Sequence, residues 1–367
     1  MKRCTRCIND KTVLNIKFDE NGVCNFCNEY DKLQNHLNDI DLEKIWQGKI
    51  SRIKGKYKYD AAVGLSGGKD SVYILYQLVK KYNLKVKTFT MDNGFLTDMA
   101  KERIDKIVKE LGVEHEYITF EKEDLKKVYK LSMRKTFAPC SGCSYMGYTM
   151  MIEFAAKNEI PLVIHGRSKP QMFRALREKS NDPFMILLKE GLKPLDEQED
   201  IEKTYDRVLL KCKDVLGEEL SKYMENSLSL MKEKEIKCEF LSYFLYHDYD
   251  EEEVFKFLES NTSWKRPINT RSSHFDCGIH DATAYLYQQV ELRPHILPEL
   301  SVMIREGTIS REEALEILNK KIIKNGTTTV YHYDNENQND TIFEYKNKKL
   351  VRKIENKYLS DGKVSKT

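Results

Sequence analysis

Ser66-Gly67-Gly68-Lys69-Asp70-Ser71 decides the fold. It follows the apolar run Ala61-Ala62-Val63-Gly64-Leu65, which reads as a buried parallel strand. It precedes Val72-Tyr73-Ile74-Leu75-Tyr76-Gln77-Leu78-Val79, whose apolar spacing suits a helix packed on a sheet. A small-residue loop between a strand end and a helix start offers free backbone N–H groups and the positive end of a helix dipole to an anion. Gly67 and Gly68 let the backbone approach a phosphate closely, and Ser66 and Ser71 add hydroxyl donors. Lys69 brings a cation to the same place, and Asp70 is suited to hold Mg2+. The loop is not a Walker A motif, which sets its first glycine farther from Gly-Lys.

These six residues resemble the Ser-Gly-Gly-x-Asp-Ser loop of the N-type ATP pyrophosphatases. The resemblance implies an enzyme that splits ATP between the α and β phosphates and adenylates a substrate oxygen.

The chain has 367 residues, enough for two or more domains and a large core. Charged residues make up 32% and apolar residues 40%, as in soluble globular proteins. No apolar run approaches the ~20 residues of a membrane span. The start, Met1-Lys2-Arg3-Cys4, does not read as a signal peptide, so a cytoplasmic protein without membrane contact is expected. The formal charge of +3 makes no global electrostatic case for nucleic acid, although Lys2, Arg3 and Arg6 could touch a phosphate backbone locally. Nine cysteines in such a chain argue for metal or redox chemistry instead of a disulfide framework.

Seven of them fall into two sets. Cys4-x2-Cys7 and Cys24-x2-Cys27 form two CxxC pairs joined by a short hairpin with a plausible turn at Asp19-Glu20-Asn21-Gly22. This is the pattern of a tetrahedral four-cysteine zinc knuckle, with a four-cysteine iron site as the alternative. Such a site would supply folding energy to a segment too short for its own core.

Pro139-Cys140-Ser141-Gly142-Cys143 is the second set, about seventy residues after the loop, and it opens a helix over Met146–Lys157. Alone, the pair reads as a redox couple, half a zinc site or two cluster ligands. In this position it resembles the Pro-Cys-x-x-Cys of the iron–sulfur tRNA thiolases, a branch of the same superfamily. That resemblance implies a 4Fe-4S cluster held by three cysteines, the third here being Cys277. Cys277 follows Asp250-Glu251-Glu252-Glu253-Val254, an acidic helix start of the kind that precedes the third ligand in the thiolases. Cys212 and Cys238 read as core thiols.

The remaining core is an alternation of short strands and helices, the pattern of a doubly wound α/β sheet. Lys85–Met91 is a strand ending in Asp92-Asn93-Gly94-Phe95. Ligands bind at such strand ends, so Asp92 and Asn93 are candidates for ribose or adenine and the Met91 backbone for the adenine edge. An ordinary Asp-Asn-Gly turn is the equal alternative. A helix over Thr97–Leu111, capped by Gly112, and a strand over His115–Phe120 follow. The strand Pro161–Gly166 leads to His165-Gly166-Arg167-Ser168, where the ATP pyrophosphatases carry a Gly-His-Asn-like or Gly-Glu-Asn-like segment near the phosphates. Gly166 is then an ATP-binding position, and Arg167 a cation for the departing pyrophosphate. Lys169 and Arg174 are weaker candidates.

Two branches compete. The zinc knuckle before Tyr59-Asp60 and the loop, together with Ile304-Arg305-Glu306-Gly307-Thr308-Ile309-Ser310-Arg311-Glu312-Glu313-Ala314, resembles the N-acetyl sugar amidotransferases of surface-glycan pathways. Those lack Pro-Cys-x-x-Cys, which the thiolases have. Both resemblances imply adenylation of a carbonyl or amide oxygen. Sulfide then gives a thiocarbonyl, and ammonia from a partner glutaminase gives an amide or amidine. Sulfur transfer is preferred, with a tRNA or a small molecule as substrate and a separate sulfur donor. A nucleotide-binding protein without turnover is the third reading, and homodimerisation is among the expectations.

The expected organisation is a zinc knuckle over 1–30 and a linking helix over 31–58. The ATP pyrophosphatase domain spans 59–190, followed by a mostly helical substrate or cluster region over 191–325. A polar tail covers 326–367, with a hairpin across Asp334–Asn339 and a disordered last dozen residues.

Overall fold

A computed structural model describes residues 3–13, 15–136, 139–167, 186–187, 201–235, 237–266, 276–280, 282–284, 296–321, 327–334, 339–346, 349–358 and 364–366. Its contacts separate two compact units, one of Lys17–His280 and one of Met1–Ile16 with Asp281–Thr367.

The larger unit is built on a five-stranded parallel sheet in the order β3-β2-β1-β4-β5, with β1 Ala61–Gly64, β2 Val86–Met91, β3 Glu114–Ile118, β4 Leu162–His165 and β5 Glu239–Ser242. The doubly wound α/β reading therefore holds. The central strands are apolar on both faces, as a sheet covered by helices requires: Ala61, Ala62, Val63, Val163 and Ile164 are fully buried. Edge strand β3 exposes the charged Glu114 and Glu116, which blunts an open edge. Chain order runs outward one way from β1 through β2 to β3, and the other way from β4 to β5. The crevice at the carboxyl ends of β1 and β4 is thus the switch point where ligands of such sheets bind.

Six helices of this unit are α1 Asn25–Asn38, α2 Leu42–Ile53, α3 Lys69–Tyr76, α4 Asp98–Leu111, α5 Lys122–Thr136 and α6 Cys140–Lys157. Local signals set several ends. The Thr97 hydroxyl accepts from Ala100 N–H at 3.2 Å to start α4, and Gly112 ends it in the left-handed region at φ 65°. Between Lys17 and Asn25, Asp19 accepts from Asn21 and Val23 N–H, and Gly22 takes φ 75°, forming the expected turn.

Three elements differ from expectation. The linking helix is two helices, because Asp41 caps α2 by accepting from Lys44 N–H at 2.9 Å. Helix α6 begins at Cys140, so the CxxC pair lies within its first turn. Strand β5 falls in the stretch read as mostly helical, beside the helical segments of Ile201–Glu233, which meet at a non-helical Gly217. Buried Lys49 of α2 pairs with Glu239 at the start of β5, so the charge opening that strand is compensated.

The smaller unit contains the helices Leu297–Glu306 and Arg311–Lys321 and a four-stranded antiparallel sheet. The sheet is β6 Thr327–Asp334, β7 Asn339–Lys346, β8 Lys349–Tyr358 and β9 Val364–Lys366. The β6–β7 pairing is the expected hairpin. Strands β8 and β9 correct the disordered end: Ile354, Tyr358 and Val364 are strand formers, and β7 gives β8 a partner to pair with. Among the described residues no helix is long and apolar enough to cross a membrane.

Candidate active site

The loop after β1 is shaped for a close backbone approach. Gly67 takes φ 75°, and a Cβ there would sit 3.2 Å from Ala100 O and 3.3 Å from Ile104 Cγ1. Gly68 caps α3 without a side chain, leaving the first-turn N–H groups toward the crevice. The serine hydroxyls brace the loop itself. Ser71 Oγ donates to Gly68 O at 3.0 Å and receives Ser66 N–H at 3.3 Å, while Ser66 Oγ receives Gly68 N–H at 3.3 Å. Thr90 of β2 donates to Leu65 O, and Trp264 Nε1 donates to Gly67 O at 3.0 Å.

Lys69 Nζ lies 3.1 Å from Asp70 Oδ2 and 3.1 Å from Glu251 Oε1. Burial opposes its charge, yet Asp70, Tyr249 and Glu251 hold it above the usual lysine range. Burial pushes the Asp70 carboxyl up, against the pull of Lys69. Glu251 belongs to the acidic helix start at Asp250–Val254 and Tyr249 to no motif, and contact brings both to the loop.

Across the crevice, Gly166 lies against the loop: a Cβ there would meet Ser71 N at 3.3 Å and Ile74 Cδ1 at 3.1 Å. Arg167 N–H donates to His165 Nδ1 at 3.1 Å, and its guanidinium stands 5.2 Å from the Tyr148 ring centroid. Lys169 and Arg174 lie outside the described residues.

The loop after β2 divides its work. Asp92 accepts from Gly94 N–H at 3.0 Å and pairs with Lys101 at 3.2 Å, so its carboxylate serves the turn. Met91, at the strand end, is half-buried. Asn93 faces the cysteine pair: its Nδ2 donates to Cys143 Sγ at 3.4 Å, and its carbonyl accepts from Tyr129 at 2.8 Å. Cys277 reaches the same loop through an antiparallel bridge to Leu96, with Gly278 N–H donating to Phe95 O at 2.8 Å and Thr97 N–H to Asp276 O at 3.1 Å.

Cys143 is pushed up to about 11, by burial first, with the Asn93 amide opposing and Cys140 and Cys277 adding to the rise. The three thiols are those of Cys140 and Cys143 on α6 and of Cys277 at the bridge to Leu96. Among the described residues they do not close to the spacing of ligands on a single ion. Cys140 is exposed, and the amino end of α6 favours thiolates electrostatically. Cys212 and Cys238 are fully buried, as expected of core thiols.

Cys4 and Cys7 lie in the smaller unit and Cys24 and Cys27 in the larger, and all four are buried. Tetrahedral thiolates at a Zn–S distance of about 2.3 Å stand about 3.8 Å apart. Cys24 and Cys27 are at 3.6 Å, and Cys7 N–H points to Cys4 Sγ at 3.4 Å. The donor set fits a structural metal ion.

A parallel sheet with a glycine-rich loop and a helix start at its switch point defines an α/β protein with an anion-binding geometry where such sheets take their ligands. No family model matches the chain. Two uncharacterized proteins of Methanocaldococcus jannaschii are similar, one 30% identical over 110 residues and one 23% identical over 194. These alignments cover 30% and 51% of this chain, and 40% and 66% of those proteins. A similar solved structure is the U34-tRNA thiolase NcsA from Methanococcus maripaludis with its 4Fe-4S cluster, at 18% identity and TM-score 0.30, over 68% of this chain and 90% of that one. Another is the NH3-dependent NAD synthetase from Campylobacter jejuni, at 13% identity and TM-score 0.28, over 52% and 96%.

Proposed function

We propose that this chain is an ATP-dependent adenylating enzyme that replaces a carbonyl or amide oxygen of its substrate with sulfur. ATP would lie at the switch point, its phosphates on the N–H groups of Ser66–Ser71, with Met91, Asp92 and Gly166 around the nucleotide. Lys69 and Arg167 would offset charge on the leaving pyrophosphate, and Asp70 would hold Mg2+. The substrate oxygen attacks the α-phosphorus and the bond to the β-phosphate breaks. A nucleophile then adds at the activated carbon, and AMP departs with the original oxygen. A 4Fe-4S cluster on Cys140, Cys143 and Cys277 would leave one iron without a protein ligand and so able to hold sulfide. The acceptor belongs to a tRNA or a small molecule, with the sulfur brought by a separate donor.

One observation carries the sulfur reading: Cys143 and Cys277 are held on the same loop after β2, by Asn93 and by the Leu96 bridge. The test is anaerobic purification with iron, sulfide and zinc analysis on the wild type and a Cys140/Cys143/Cys277 triple serine variant. About four irons per chain, lost in the variant while zinc stays, supports sulfur transfer.

A second reading, amidation with ammonia from a glutaminase partner, rests on a different contact. Arg305 Nη2 donates to Cys7 Sγ at 3.4 Å, and Arg311 donates to the Cys7 and Cys4 carbonyls, so the segment around Gly307 meets the first CxxC. Zinc without iron, unchanged by the triple substitution, favours that reading. A zinc site on Cys4, Cys7, Cys24 and Cys27 serves either one.

A further inference from the structure

The segment around the helix Glu251–Asn261 grips the phosphate loop at three points. Tyr249 OH donates to Asp70 Oδ1 at 3.0 Å. Glu251 stands 3.1 Å from Lys69, and Trp264 donates to the Gly67 carbonyl. Asp70 therefore has its two oxygens divided, Oδ2 to Lys69 and Oδ1 to Tyr249. A carboxylate bonded at both oxygens cannot spin about its Cβ–Cγ bond, so its remaining lone pairs keep one direction. The Tyr249 ring is itself fixed, edge-on to Phe244 at 4.6 Å between centroids and 5.8 Å from Lys69 Nζ.

We infer that Tyr249 is a positioning residue of the nucleotide site: it aims Asp70 at the divalent cation that accompanies ATP. This rests on reading Asp70 as the cation ligand. Tyr249 acts through Asp70, so its removal changes cation dependence more than nucleotide contact. A hydrogen bond to a charged carboxylate corresponds to about a tenfold effect or more.

The test is calorimetric binding of α,β-methylene-ATP, which cannot be cleaved between those phosphates, to the full chain across a Mg2+ series and in EDTA. Tyr249→Phe keeps the ring and its packing, and its melting temperature should stay at the wild-type value. The Mg2+ concentration for half-maximal enhancement of binding should rise about tenfold in Tyr249→Phe, with binding in EDTA changed less than about twofold. In an Asp70→Asn background the same substitution should add nothing. A wild-type Mg2+ profile in Tyr249→Phe, or an undiminished effect in the Asp70→Asn background, overturns the inference. Failure of the wild-type chain to bind the analogue at any Mg2+ concentration overturns the ATP reading itself.

Discussion

Asn93 donates its side-chain amide to Cys143 Sγ over 3.4 Å while its own Oδ1 accepts from Phe95 N–H at 2.9 Å. One residue thus joins the loop after β2 to the cysteine pair on α6. With a cluster bound, the amide would be a donor to a ligating sulfur, which raises the reduction potential. Asn93→Ala is expected to keep wild-type iron and sulfide after anaerobic reconstitution but to lower the cluster potential by tens of millivolts, on the order expected for one hydrogen bond to sulfur. Spectroelectrochemical titration of the two proteins checks this, and an unchanged potential would remove Asn93 from that role.

The glycine of Cys140-Ser141-Gly142-Cys143 is required by packing. A Cβ on Gly142 would lie 2.5 Å from Val128 Cγ1 and 3.1 Å from Val128 O of α5, and Gly142 N–H donates to Ser132 Oγ at 3.0 Å. Gly142→Ala must push the amino end of α6 away from α5. The expected cost is about 1–3 kcal/mol in urea unfolding, typical of overpacking, together with loss of cluster assembly. Gly147→Ala on the same helix is the control, because its Cβ would find ordinary contact with Met91 at 3.7 Å. Equal stability of the two variants would show that α5 and α6 do not pack as described.

The sheet and the loop were legible because their signals are local. Apolar runs mark β1 and β4, and Thr97 and Gly112 bracket α4 by capping chemistry that needs no tertiary contact. Strand β5 was hidden because its four residues open with a charge that makes sense only once Lys49 is seen against Glu239. Cys140 and Cys143 announced themselves as a pair, whereas the attachment of Cys277 depends on a bridge to Leu96 far away in the chain. Asp92 and Asn93 looked alike in sequence, and the fold gave one to a turn and the other to Cys143. Tyr249 could not be found at all, since a lone tyrosine after an apolar run carries no pattern.

The four-cysteine group makes a prediction about folding. All four thiols are buried, and Arg305 and Arg311 bond to Cys4 and Cys7 within their unit. On the zinc reading, Cys4→Ser is expected to abolish zinc binding and to destabilise by several kcal/mol, on the order of 3, because metal binding energy is folding energy in such sites. Atomic absorption and thermal melting with and without a chelator measure both. Normal zinc content and an unchanged melting temperature would contradict the structural role.

His165 sets a pH dependence. Its ring is buried and accepts Arg167 N–H, and burial drives its pKa down from 6.5 to about 3. The unfolded chain binds a proton near pH 6.5 that the folded chain refuses until about pH 3, so stability falls as pH drops through that window. The loss should approach about 1.4 kcal/mol per pH unit for this group and vanish above pH 6.5. His165→Asn, which retains an acceptor for Arg167, is expected to flatten that acid limb in urea titrations between pH 6.5 and 4. An identical limb in the variant would place the acid sensitivity elsewhere.

Lys69 opens the helix after β1 and Arg167 follows β4, the two strands that flank the crevice, and their substitutions should separate. Lys69 is packed between Asp70, Glu251 and the rings of Tyr249 and Phe255, so it is fixed before ATP arrives. A preorganised cation aimed at developing charge contributes on the order of a hundredfold or more to rate. Lys69→Ala is therefore expected to lower ATP-to-pyrophosphate cleavage by at least about a hundredfold with the fold intact by circular dichroism. Arg167 lies over the Tyr148 ring and follows a strand end, so Arg167→Lys keeps the charge but loses the planar guanidinium fork. A loss of about tenfold, smaller than that of Lys69→Ala, is the expected result for Arg167→Lys. Pyrophosphate release, followed by a coupled phosphate assay, measures both variants. Full activity in Lys69→Ala would sink the assignment of the Ser66–Ser71 loop, whereas full activity in Arg167→Lys would leave the loop in place and move the second cation to another residue.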